Sequence, residues 1–595
     1  MAGETSALEI DLGTGPSEGF AGLRRAIGAL RDAGADFGPL SRLRPGEWEV
    51  LAPPCGTSGG GQPPGLLDET TIPASERRLH RESEHTFRVL SAAAVALCRG
   101  SQEVGRPVLL RGTGTTDLPT LRGLIRTAEY QRATGVGTLA IAPAENAGAG
   151  PADGGPLDFR AERARCLRLA GAAPLPPGSG PRAGGTPPAA AATAEGRLFH
   201  QALDTSADAV DRLRAAVQYL LLAFASANWE GAALVAAGCL PLTDALPPGA
   251  TARLAGGLTA HGTQAFELEP EIFRHPADVR AFLLKALGIQ ATFRERHDDA
   301  VVWFRAMRAT DGPLSPEALG QSHLLAALTL VKRRNALTEA VGEVEAGLAA
   351  LPAAPGEPDS VRRERGWLHN LRGLTLTVQR DLVGALRHEQ EAWASLQGLT
   401  DPSSVHLRVN LVSNISVLQE KAGKHAQALR TWQRFGGSGF TTDTKFVKHH
   451  AYRAGGLSLA VGDADGGTAL LRQTLDRCRD MTDDFHVFEV SAELGALLLG
   501  RGDTTAAAGY FEEANSAATA LGDPYRTALA RTGRALAAGR PPAAALGELA
   551  LRSSTNASRA EALAACVRAG STDQARALLP AVRTKLNRPF DLVNF

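Results

Sequence analysis

The stretch AELGALLLGRGDTTAAAGYFEEA, residues 492–514, decides how the larger part of this 595-residue chain is read. Leu494, Gly495 and Leu498 fall on one face of a first helical segment. Gly502-Asp503 breaks the periodicity, and Ala507, Phe511 and Ala514 resume it on a second. A small residue lets two helices approach closely. The Gly-Asp turn reverses the chain, and a small then a large apolar residue on the second helix packs back. The pattern recurs at 285–307 (Leu287, Gly288, Ala300, Phe304, Met307), at 370–392 (Gly373, Leu376, Ala385, Ala392), at 410–435 (Ile415, Ser416, Gly423, Ala428, Trp432) and at 451–471 (Gly455, Gly462-Asp463). Weaker copies lie at 219–235, 324–351, 527–549 and 560–579. Clear copies are spaced by about 40 residues, longer than the ~34 of the shortest helix-pair repeats.

These copies resemble the tetratricopeptide-repeat superfamily over most of residues 200–595. The resemblance implies stacked antiparallel helix pairs in a right-handed superhelix, each pair burying apolar surface that only its neighbours can cover. It also implies a concave face, lined by the first helix of each pair, that binds a peptide or protein segment. Counting from the small residue of each copy turns Lys285, Asn370, Asn410, Ser413 and Asn414 inward, with Lys448, His449, His450 and Arg453 at or near equivalent positions. Amides offer a donor and an acceptor to an extended backbone, and cations suit a carboxylate. The competing reading is a solvated polar face. Trp303, Trp367 and Trp432 are expected to pack between helices rather than to form a ligand cage.

Upstream, residues 144–157 and 171–193 are rich in Pro, Gly and Ala. They divide the chain into an N-terminal α/β module (1–145), a linker (146–195) and the solenoid (196–595). Residues 17–34 and 75–100 read as helices, each ending at a glycine. PVLLR (107–111) and TLAIAP (138–143) read as strands flanking a helix at 118–135, which makes one βαβ unit. The fold class expected is mainly α, a repeat solenoid with a smaller α/β module.

The loop RGTGTTD (111–117) between strand and helix invites a phosphate-binding reading. A Walker A loop needs a Lys that reaches the phosphates, and none is present. A dinucleotide fingerprint needs a third glycine where Asp117 stands, and a carboxylate there repels pyrophosphate. Asp117 is better placed to cap the following helix. EIDLGTGPSEG (9–19) vaguely resembles the phosphate loop of actin-like ATPases, and reads otherwise as a strand end and a turn before a helix. His80 and His85 are five apart, and His449-His450 diverge around a helix, so neither pair has metal-ligand spacing. No nucleophile elbow or triad spacing is found.

With 63 basic and 63 acidic residues the net charge is zero, so no global field draws nucleic acid. The start lacks a basic, then apolar, leader, and the longest apolar run, from Tyr219, is too short for a bilayer. The six cysteines (Cys55, Cys98, Cys166, Cys239, Cys478, Cys566) read as reduced buried thiols. Arg-rich, Ala/Gly-rich usage looks like that of a GC-rich bacterial genome.

The function expected is non-catalytic peptide or protein binding by a cytoplasmic bacterial scaffold, adaptor or regulator, through Lys285, Asn370, Asn410, Asn414, Lys448, His449 and Arg453. No cofactor, metal or catalytic residue is expected, and a homo-oligomer is compatible with the sequence. Two alternatives stand beside it: an accessory subunit of a biosynthetic pathway that binds a precursor peptide or partner enzyme, and an enzyme with an unrecognised N-terminal site. An α/β unit followed by repeats is also loosely similar to large bacterial signalling regulators. This chain lacks their Walker A lysine, and it ends RTKLNRPFDLVNF with no helix-turn-helix.

Overall fold

The computed structural model describes residues 7–51, 84–142, 155–171, 193–246, 273–310, 312–334, 336–436, 444–480, 483–521 and 524–540. The weaker repeat copy at 560–579 lies outside them, as do parts of the copy at 527–549, the helix at 75–100 and the segments at 144–157 and 171–193.

Three short strands, β1 (Leu8–Asp11), β2 (Val108–Arg111) and β3 (Leu139–Ile141), form a parallel sheet in that order, with Ile10, Leu110 and Ile141 in register. The helices around them are α1 (Ala21–Asp32), α2 (Gly38–Leu43), α3 (Pro45–Leu51), α4 (Glu84–Glu103) and α5 (Leu118–Thr134). The β2–α5–β3 unit is the one its flanking apolar runs predict. Leu23, Ala26, Ile27 and Leu30 make the buried stripe of α1 at helical spacing. Within the interval 146–195 lies a further helix, α6 (Arg160–Ala170), which packs on α5. Composition alone does not reveal it, because the Pro/Gly-rich flanks hide a short periodic segment.

Then come α7 (Ala194–Leu203), α8 (Ala209–Ala225), α9 (Trp229–Cys239) and the repeat pairs α10/α11 (Pro276–Phe293, His297–Ala306), α12/α13 (Pro316–Thr329, Leu337–Ala350), α14/α15 (Asp359–Val378, Leu382–Ser395), α16/α17 (Pro402–Lys421, His425–Gly436), α18/α19 (Thr444–Ala460, Ala464–Asp480) and α20/α21 (Asp484–Gly500, Thr504–Leu521), followed by α22 (Pro524–Ala537). First helices thus begin every 40 to 43 residues from Pro276 to Pro524.

The turns within α14/α15, α18/α19 and α20/α21 share one construction. A residue in the left-handed region follows the first helix and an Asp caps the second. Gly462 (φ 88°) and Gly502 (φ 83°) precede Asp463 and Asp503, whose carboxylates accept from the Gly466 and Ala506 amides. In the α14/α15 turn Arg380 takes the same conformation without being glycine (φ 65°), and Asp381 accepts from the Gly384 amide.

One apolar core runs without interruption from the sheet (Ile10, Leu110) through α7–α9 (Tyr219, Trp229) to α12 (Ala326). The α/β part is therefore packed against the start of the array. It also touches the end: Arg44 donates to Asp484 (2.8 Å) and to the Ala520 carbonyl (2.8 Å), and Arg88 donates to Asp483 (2.5 Å). The last described helices thus come back onto the first ones and close the array on itself.

The described cysteines, Cys98, Cys166, Cys239 and Cys478, are buried free thiols. Burial pushes Cys98 up to about 12 and Cys166 and Cys239 to about 11, which keeps them protonated and unreactive.

Candidate functional site: the inner face of the array

The first helices of successive pairs touch one another, α10 with α12, α12 with α14, α14 with α16 and α20 with α22. The side on which neighbouring helices approach is the concave one. A ladder of polar contacts runs along it. Glu317 receives Arg274 (2.5 Å) and the Ser360 hydroxyl. Lys285 donates to Gln321 (3.0 Å), which donates to Glu364 (3.0 Å). Arg453 donates to Glu420 (2.6 Å), Tyr452 to Glu493 and Arg526 to Glu489 (3.0 Å). Two of the cations expected to meet a ligand, Lys285 and Arg453, are thus held by neighbouring helices. Asn410 and Ser413 are half-buried on α16. The side chains of Lys448 and His449 lie outside the described residues. His450 is structural: its ring stacks on Trp432 (5.5 Å, 7°), and the Trp432 indole N–H donates to its carbonyl. Trp432 is buried, and Trp303 and Trp367 pack partly buried against core side chains, as expected.

At the centre of this face Asn414 on α16 donates through Nδ2 to Asn370 Oδ1 on α14 (2.8 Å) and to Glu389 Oε1 on α15 (3.3 Å). Among the described residues no hydrogen bond engages the Asn370 Nδ2 or the Asn414 Oδ1, which leaves one donor group and one acceptor on the bonded pair. Glu389 is only 2% exposed, and its Oε2 also has no hydrogen-bond partner among the described residues. Burial pushes its carboxyl up to about 8, against a smaller opposing pull from the Asn414 amide, so it is a neutral acid at pH 7.

Sequence reasoning missed Glu389, although a signal exists. The residue sixteen positions after the small residue is Phe304 after Gly288, Trp432 after Ser416, Leu471 after Gly455 and Phe511 after Gly495. After Gly373 it is Glu389. A β-carbon on Gly288 would lie 2.3 Å from the Phe304 ring, and one on Gly373 would lie 2.7 Å from Glu389 Oε1. The contact is the same, with a carboxyl in place of a large apolar group. The array is a tetratricopeptide-type α-solenoid.

In the α/β part, the RGTGTTD loop is held by its own chain. Asp117 is 0% exposed and accepts from the Phe20 (2.9 Å), Gly22 (3.1 Å) and Thr120 (2.8 Å) amides and from the Thr120 hydroxyl (2.7 Å). One carboxylate therefore caps two helices, α1 and α5, and occupies the amide donors an anion would use. Arg163 on α6 donates to the Gly114 (3.0 Å) and Thr116 (2.6 Å) carbonyls and fixes the loop from outside. The loop after β1 is clamped in turn: Asn228 donates to the Pro16 carbonyl (2.8 Å), and Glu195 accepts from the Gly19 amide (3.1 Å), Ser226 (3.1 Å) and Asn228 (3.2 Å). Burial pushes Glu195 up to about 7, offset in part by those hydrogen bonds.

No family model matches the chain, and no curated protein matches it. Among solved structures it is similar to the apo form of RapI (10% identity, 59% of this chain and 97% of that one, TM-score 0.39). It is also similar to a Rap protein complexed with competence and sporulation factor (10%, 51% and 96%, TM-score 0.24). A third is a signal transduction ATPase with numerous domains that carries a tetratricopeptide repeat sensor, from Pyrococcus horikoshii (10%, 97% and 89%, TM-score 0.40). Among the described residues no helix is long and apolar enough to cross a membrane.

Proposed function

We propose that this protein binds an extended peptide or an unstructured protein segment on the concave face of its solenoid, centred on Asn370, Asn414 and Glu389, and acts as an adaptor or regulator. The observation that supports this reading is the amide pair. Asn370 Nδ2 and Asn414 Oδ1 supply the donor and the acceptor that one peptide unit calls for, and the neutral Glu389 acid accepts from the Asn414 amide. A core position converted to a buried carboxyl costs stability, so its presence fits a site kept for binding rather than for packing. Lys285 and Arg453, engaged by Gln321 and Glu420, would reach a ligand carboxylate by exchanging those partners.

The test is selection of peptides from a random display library on the full chain, followed by fluorescence anisotropy with the selected peptides. Asn370→Ala with Asn414→Ala is expected to weaken binding at least tenfold, and Arg453→Ala to weaken the binding of peptides with an acidic residue or terminus. Peptides that bind both forms equally, or a library that yields none, would sink the proposal.

A further inference from the structure

On another face of the same helix pair, α14 and α15 bring together His369, His388 and Glu391. His388 and Glu391 are one helical turn apart and so share a side of α15. His369 comes from α14, next to Asn370. The Nδ1 atoms of the two rings are 3.1 Å apart, and both point at the same carboxylate oxygen, Glu391 Oε2, at 3.1 Å from His369 and 2.9 Å from His388. The rings stack at 5.3 Å with 27° between planes.

Hydrogen bonding alone leaves this triangle crowded or short of a proton for neutral imidazoles. If both rings carry a proton at Nδ1, both N–H groups must crowd onto the one Glu391 oxygen with their nitrogens only 3.1 Å apart. If one does, the other ring turns a bare lone pair toward a carboxylate oxygen. If neither does, three lone pairs converge. A divalent cation at the centre removes the conflict, because all three atoms then donate to it. Tetrahedral zinc with Zn–N of about 2.0–2.1 Å sets its ligands about 3.3–3.5 Å apart, so the triad needs to open by only a few tenths of an ångström. Neighbouring cations are placed compatibly. Arg365 is held by Glu357, Arg372 by Glu345 (2.9 Å), and Arg387 approaches the other oxygen of Glu391 (3.9 Å).

We infer that His369, His388 and Glu391 form a binding site for one divalent transition-metal ion, zinc foremost, with three protein ligands and an open fourth position. Two imidazoles and one carboxylate suit zinc and disfavour calcium or magnesium, which take oxygen ligands. The ion would cross-link the two helices of the pair that carries Asn370 and Glu389.

The experiment is titration of the metal-stripped full chain with zinc chloride by calorimetry, and with cobalt chloride by visible absorption. One ion per chain is expected, with d–d bands in the low-symmetry range. His369→Gln with His388→Gln should abolish binding, and Glu391→Gln should weaken it at least tenfold. His200→Gln, on the exposed side of α7, should leave it unchanged. Circular dichroism checks that the variants fold. Glu391 is 42% exposed, so its amide variant decides the matter even if the double variant does not fold. Absence of binding by the wild-type chain at 100-fold excess overturns the inference. So does stoichiometric binding that survives the double variant, or that Glu391→Gln leaves unchanged.

Discussion

Glu389→Gln isolates the buried carboxyl that accepts from Asn414. The carboxyl moves from an ordinary 4.5 to about 8 on folding, because burial penalises its charged form. The folded chain therefore holds a proton that the unfolded chain releases between those values. Its contribution is fully present below about pH 4.5 and is lost as pH rises through about 8. Each tenfold change in proton affinity is worth about 1.4 kcal/mol, so on the order of 4 kcal/mol of local stability disappears across this window. The glutamine variant has no such proton. The readout is hydrogen exchange of the α14 and α15 amides, as the ratio of wild-type to variant protection from pH 5 to pH 9. Intrinsic exchange and other titrating groups, Glu195 among them, cancel in that ratio. It should fall about tenfold per pH unit up to about pH 8, several hundredfold in all, and then level off. A ratio that stays flat across the range would refute the reasoning, since it would mean that Glu389 is already ionised in the folded state.

Asp117→Ala should destabilise the α/β part by at least about 3 kcal/mol, since it orphans three buried amides at two helix starts. Chemical denaturation followed at the α1–α5 region measures this, and a loss below about 1 kcal/mol would contradict the double-cap assignment. Arg380→Gly should stabilise the α14/α15 turn by about 0.5–1 kcal/mol, because the left-handed position there is filled by glycine in three other turns; a lower melting temperature would argue against it. Arg44→Ala with Arg88→Ala should release the end of the array from α2 and α4. Small-angle scattering should show a larger radius of gyration and proteolysis should quicken, whereas an unchanged profile would mean that apolar contacts hold the closure without these pairs.

The repeat architecture was legible because it is local. Helix periodicity, the Gly-Asp turn and the small-to-large packing positions all lie within some 25 residues, and each repeat is bounded by nearest neighbours. The same holds for β2–α5–β3 and for Asp117 as a cap, whose first partner, Thr120, is three residues away. The second cap was not legible, because Phe20 and Gly22 lie about a hundred residues upstream. Counting within each repeat leads to the expectation that Asn370 and Asn414 turn inward. That they bond to each other across a 44-residue separation follows only from how two pairs stack. Glu389 was readable in principle, as a charge in an apolar register, but its neutrality depends on burial that no spacing reveals.

Residue order was enough for the helix pairs and their succession, since these follow from periods and turns within each repeat. Three features arise only in three dimensions: the shared core between the α/β part and α7–α12, the closure through Arg44 and Arg88, and the convergence of His369, His388 and Glu391. They depend on the angle at which each pair stacks on the next. That angle is set by side-chain packing summed along the array, so it brings together residues that no local rule relates.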